Sequence, residues 1–262
     1  MDYFVDTNRT FWPSDWKLPL VHMTQSWEVL ELILKEGLKP SYCAETLTNN
    51  TDYKKACFPM ISFSNVSMSD AVQFQCSYGT LGIALSADWG KKNGLNPVLY
   101  LERSSDITNE IVNGFGEIAT HSIGSLELSL SGGNNSAKGV LTRQMIKVFA
   151  HSKNYDGELV RNGKLESECY RFGLEREWRK VIMEKQAPYF LVGDDIQKKK
   201  EFNAKIEHLR YDFELQDLEG VIVETEGEKT AALTILAEKF PGCDLEKVEI
   251  MINRIRHVPD EG

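Results

Sequence analysis

The chain of 262 residues carries 39 acidic against 30 basic side chains, and its net charge of −9 works against general, charge-driven binding to nucleic acid or anionic lipid. With 42% hydrophobic and 26% charged residues it has the composition of a globular protein, long enough to bury a substantial core without disulfides or metal. No apolar run reaches the roughly 18 residues of a membrane-spanning helix. The first ten residues lack the basic-then-apolar order of a secretory signal, and five cysteines without a CxxC pair fit free thiols in a reducing cytosol, so a cytoplasmic location is expected.

In chain order, residues 1–19, with Trp12, Pro13, Trp16 and Pro19, form an irregular aromatic lead-in expected to pack on the body. Residues 20–262 read as one α+β domain. Leu20 to Met23 is strand-like and runs into Thr24 and Ser26, either of which could cap a helix reaching about Lys35. Trp27, Leu30, Ile33 and Leu34 recur at helical spacing, and Gly37 stands where a helix-ending left-handed residue belongs. Residues 44–56 are polar and rich in Asn and Thr, a loop or short helix. Phe58 to Ser64 reads as a second strand, Ser67 to Gln75 as a short helix and Gly79 to Leu85 as a strand in close quarters. Ser86 could cap a further helix that Asn93-Gly94 ends, before a strand over Pro97 to Leu101.

Residues 104–130 alternate at helix-like spacing, and Ser131 to Lys138 is a loop. Met145 to Ala150 reads as a strand. Asp156-Gly157 and Asn162-Gly163 mark turns of possible hairpins. Tyr170 to Met183 ends in an apolar strand, a helix spans the lysine run to about Arg210, Gly220 to Glu224 is a strand, 228–239 a helix and Val248 to Ile252 a last strand. Six or seven short strands without a βαβ rhythm predict a single α+β domain around a mixed or antiparallel sheet with flanking helices.

The stretch from Ser77 to Tyr100 (SYGTLGIALSADWGKKNGLNPVLY) resembles the AbiGi-like family of phage-defence, abortive-infection proteins, which tends to read YGxYGIGLSKEWG and then KxGINPVLYI. The resemblance extends upstream to Val21-His22-Met23-Thr24 and Pro59 to Ser64, and downstream to Tyr170 to Arg179 (YRFGLEREWR), close to the family's YxFxxEREWR. The sequence departs from the family at Thr80 and Leu81, and has Ser62, Ser64 and Asn65 where the family has a Cys-Phe-Cys-Asp-like strand. Membership implies a part in phage defence and a cognate toxin or antitoxin as partner.

Three elements, His22-Met23-Thr24, Ser62-Phe63-Ser64 and Glu175-Arg176-Glu177, follow an order similar to the ADP-ribosyltransferase fold and its DarT-like branch. That resemblance implies a toxin that uses NAD as substrate to modify a nucleic acid. Glu177 would be the catalytic acid and Glu175 its helper, while His22, Thr24, Ser62, Ser64 and Tyr78 would contact NAD and Arg179, Lys198 and Lys199 the substrate. Cleaving the nicotinamide–ribose bond builds positive charge on the sugar, which a carboxylate held against it stabilises. If the Glu175 segment is extended, Glu175, Glu177 and Arg179 share one face; if it is helical, Glu175 pairs with Arg179 and the two acids separate.

Each element also has a plain structural explanation: a strand-end histidine, a polar strand face, an ion-pair ladder, a solvated lysine-rich helix face, and glycines (Gly79, Gly82) that serve tight packing rather than approach to a cofactor. No P-loop, GxGxxG, HExxH or GxSxG is present, and no metal is expected. The alternative reading is a non-catalytic antitoxin or interaction protein on the same scaffold.

Overall fold

The computed structural model describes residues 18–74, 78–122, 137–161, 164–182, 190–191 and 196–253. The expectations for the lead-in up to residue 17, residues 123–130, most of the loop from Ser131 to Lys138, the Asn162-Gly163 turn and Met183 lie outside these residues, while Ala137 and Lys138, expected in that loop, begin a helix.

Strand β1 (Leu20–Thr24) runs into α1 (Trp27–Glu36), where Ser26 rather than Thr24 is the cap, its hydroxyl accepting from the Val29 N–H. Gly37 ends the helix at φ +86°, a conformation glycine adopts without strain. Residues 44–56 are neither loop nor short helix. They belong to a long hairpin of β2 (Ser41–Thr48) and β3 (Tyr53–Asn65), in register from Ser41↔Met60 to Thr48↔Tyr53. Asn49 makes its turn, the side-chain oxygen accepting from the N–H groups of Thr51 and Asp52. Three of the eight β2 residues are exposed, and its polar composition conceals a strand.

Next come α2 (Met68–Phe74), β4 (Leu81–Leu85) and α3 (Ala87–Lys92), the last capped by the Ser86 hydroxyl as expected. The strand anticipated at 97–101 is divided into β5 (Asn96–Pro97) and β6 (Leu99–Leu101). Helices α4 (Asp106–Ser122) and α5 (Ala137–Ala150) follow. The supposed strand at Met145 to Ala150 is the end of α5, where Ile146, Phe149 and Ala150 are buried at helical spacing. A short apolar run does not by itself distinguish strand from buried helix.

Short β7 (Ser152–Asn154) pairs in parallel with β6, and β8 (Gly157–Arg161) pairs with β9 (Lys164–Tyr170) as a separate hairpin. A short, tight turn of helix (Phe172–Glu175) precedes β10 (Glu177–Val181). The chain then forms β11 (Phe190–Leu191), α6 (Ile196–Lys205), β12 (Leu218–Val223), α7 (Glu226–Lys239) and β13 (Glu249–Ile252).

Nine strands, more than the six or seven expected, join in one mixed sheet of order β13-β12-β4-β1-β3-β10-β5, with β2 and β11 also paired to β3. Only β12 and β13 pair in parallel within it. Period-2 alternation sends neighbouring side chains to opposite faces. One face carries Leu20, Phe63, Ile83 and Val221 against Leu30 and Leu34 of α1, Trp89 of α3 and Leu236 of α7. The other carries Met60 and Val181 against Phe115 and Phe149 of α4 and α5, and Val21, Ala84 and Ile222 against Ala71 and Val72 of α2. The result is a helix–sheet–helix sandwich, and the side of the sheet a residue faces decides what it can meet.

Candidate functional site

The conspicuous polar feature of the interior lies at the start of β10. The segment from Tyr170 is not continuously extended: after the helical turn, Arg176 takes φ +47° and the chain enters β10 at Glu177. That left-handed residue lets Glu175, on the turn, and Glu177, on the strand, reach one place. Register pairs Glu177 with Ser64 and Arg179 with Ser62 across β3.

Arg179 is fully buried. Its Nε donates to Glu177 Oε1 at 2.6 Å, and its Nη2 donates to Glu177 Oε2 at 2.9 Å and to Glu45 Oε2 at 2.8 Å. Its Nη1 donates to the Ala150 carbonyl at 2.9 Å, where α5 ends. Lys153 bridges the two acids, donating to Glu175 Oε2 at 2.7 Å and Glu177 Oε2 at 3.1 Å. The Tyr78 hydroxyl donates to Glu175 Oε1 at 2.6 Å, and the Tyr100 hydroxyl accepts from the Glu177 N–H at 2.8 Å. Phe172 closes one side, with the Lys153 ammonium 4.6 Å from its ring centre.

The electrostatics follow from three carboxyl groups sharing two cations. Burial pushes the Glu177 carboxyl up, but Arg179 and Lys153 outweigh it and hold it well below the usual carboxylate range. Burial also opposes the charges of Lys153 and Arg179, yet the surrounding carboxylates raise both. Glu45 goes the other way: burial and the Glu177 charge outweigh a guanidinium already engaged by Glu177, and its pKa rises. Both Glu177 oxygens are engaged by cations, which makes the group an ion-pair partner in this structure.

The expected site residues separate into groups. Glu175, Glu177, Arg179 and Tyr78 converge, with Ser62 and Ser64 on the same sheet face of the adjoining strand. His22 and Thr24 project from the opposite face, among Leu20, Phe63 and Ile83. There His22 Nδ1 lies 2.8 Å from the Ser62 carbonyl oxygen, the position at which β1 stops pairing with β3. The imidazole thus satisfies a backbone acceptor the ladder leaves open, and burial lowers its pKa.

Arg179, expected to contact the substrate, is wholly internal. Lys198 and Lys199 lie on α6, which packs against β2 through Asn203 Oδ1, acceptor of the Tyr42 N–H at 2.8 Å. Gly79 and Gly82 serve close packing of the chain on itself: a Cβ on Gly79 would stand 2.0 Å from the Thr24 carbonyl oxygen, and one on Gly82 2.8 Å from that of His22.

Sequence reasoning missed Glu45, Lys153 and Tyr100. Tyr100 ends the quoted NPVLY motif, so its position was marked without its role. Glu45 and Lys153 lie in polar stretches where nothing local distinguishes an inward charge from a solvated one.

A family model described as "Putative abortive phage resistance protein AbiGi, antitoxin" matches residues 36–224, more than two thirds of the chain. Neither the curated proteins nor the solved structures include a match. The description overturns the expectation of a toxin that acts as an ADP-ribosyltransferase on nucleic acid, and favours the alternative, a protein that restrains a toxin.

Proposed function

Because the chain belongs to the AbiGi family of abortive phage-resistance proteins, described as antitoxins, we propose that it neutralises a toxin by binding it, without chemistry of its own. The observation that carries this reading is the closure of the acid–base cluster upon itself. Glu177, the group best suited to catalysis by sequence, has Arg179 on one oxygen and both Arg179 and Lys153 on the other. Charges arranged so order a fold; removing one partner leaves an uncompensated buried charge, which is strongly destabilising. The partner is a protein toxin, and neutralisation works through surface complementarity rather than turnover.

The test is growth rescue. A toxin whose expression arrests growth of the host is co-expressed with this chain, and colony counts are compared with an empty vector. Recovery of growth together with co-purification of the two proteins is the expected result. Arrest by this chain expressed alone would contradict the proposal.

A further inference from the structure

We infer that the groove along the open edge of β10 accepts an extended acidic segment of a partner protein as an added strand; this rests on the antitoxin reading and specifies its contact surface. β5 is two residues long, and its ladder with β10 ends at Arg179↔Asn96. In an antiparallel pair, backbone groups alternate in direction from one residue to the next. The Glu177 carbonyl points to the β5 side, where it accepts from the Val98 N–H at 2.9 Å. The Ile182 N–H points the other way and donates to the Pro59 carbonyl at 2.8 Å. The N–H and C=O of Val181 therefore face the same side as those of Glu177, beyond the last rung of β5. Among the described strands none lies beside Val181 there.

That edge floors an open groove of about 570 Å³. Lys147 and His151, at the end of α5 and just beyond it, line the groove together with Asn96, Leu99 and Tyr211. Leu99 is 48% exposed, an apolar contact for one residue of an incoming strand. Lys147 and Lys180 bring two positive charges, and none of the described lining residues is acidic. On a molecule with net charge −9 this is a local reversal of sign, complementary to an acidic ligand. A polynucleotide would satisfy the lysines but leave the Val181 backbone pair without its natural counterpart, whereas an extended peptide satisfies both. Strand addition supplies main-chain hydrogen bonds for affinity and side-chain pockets for selectivity.

The test has two arms. In the first, the full chain labelled with nitrogen-15 is titrated with an acetylated, amidated Glu-Val-Glu-Val-Glu-Val peptide, beside its Lys-Val counterpart and a ten-nucleotide oligo-uridine. Shifts of the Leu99, Val181 and Ile182 amides with the acidic peptide alone are expected, with affinity at least tenfold weaker in Lys147→Glu/Lys180→Glu. A Leu99→Glu variant, altered at an exposed position, gives the same loss if the lysine pair disturbs folding. No shifts, shifts elsewhere, or stronger binding of the oligonucleotide in this groove overturn the proposal.

In the second arm, the wild type and the charge-reversed variant are compared in growth rescue. Rescue by the wild type and not by the variant supports the groove as the toxin contact. Equal rescue by both overturns it and leaves the antitoxin reading intact. No rescue by the wild type, with peptide shifts in the groove, refutes the antitoxin reading and keeps the strand-addition site.

Discussion

Glu177 and Glu45 meet the same guanidinium on unequal terms. Glu177 receives both Nε and Nη2 of Arg179 together with Lys153, whereas Glu45 receives a share of Nη2. Glu177→Gln leaves Arg179 and Lys153 short of an anion in a buried place and is expected to lower unfolding stability by about 3–5 kcal/mol, measured by urea denaturation at pH 7. Because the folded-state pKa of Glu177 is depressed, its stabilisation is present above the unfolded carboxylate value and is lost as pH falls through the folded one. Glu45 has the opposite sign. Its raised pKa means that folding favours the protonated form, so its contribution declines as pH rises from the unfolded value through the folded one. Glu45→Gln is therefore expected to cost less than Glu177→Gln at pH 7 and to become more favourable relative to wild type as pH rises above the unfolded carboxylate value. Denaturation curves across that range check it; a Glu45→Gln penalty that grows with pH would contradict the assignment.

At the scale of elements, the cluster depends on how the loop before β4 crosses the end of β1. Gly79 has φ +137° and lies so close to the Thr24 carbonyl that no side chain fits, while its neighbour Tyr78 reaches Glu175. Gly79→Ala is expected to destabilise by at least about 2 kcal/mol, read from the thermal midpoint, since both the backbone conformation and the contact oppose a Cβ. On the covering layer, the rings of Phe115 and Phe149 stack with centroids 3.9 Å apart, joining α4 to α5 above the sheet. Phe149→Ala is expected to cost about 3–5 kcal/mol by the same measurement. These elements were unequally legible. The Ser86 cap and the Phe58–Ser64 strand follow from local chemistry and are in place, and of the two hydroxyls that could cap α1, Thr24 and Ser26, it is Ser26 that does. The β2–β3 hairpin is hidden because β2 is polar and partly exposed, and the end of α5 reads as strand because five apolar residues interrupted only by Lys147 suit either period.

Across the whole molecule, what sequence order could not supply was the side of the sheet. His22, Ser62 and Glu177 occur in an order that suits a shared cleft, yet strand parity places the His22 ring on one face and Ser62 with Glu177 on the other. The long motif at Ser77 to Tyr100, by contrast, identified the family, because a specific run of that length carries more information than three short elements. The same sheet brings a buried, self-neutralised ion cluster and an open, basic strand edge onto one strand, β10. The first fits a structural role and the second a binding one. An antitoxin of the proposed kind acts by stoichiometry. The most direct measurement is a titration in which purified chain is added to a fixed amount of the toxin it rescues, while residual toxin activity and complex size are followed. Activity falling linearly to a fixed molar equivalence, with a complex of matching mass, is the predicted result; neutralisation far below equivalence, with no complex, would contradict a binding antitoxin and reveal turnover.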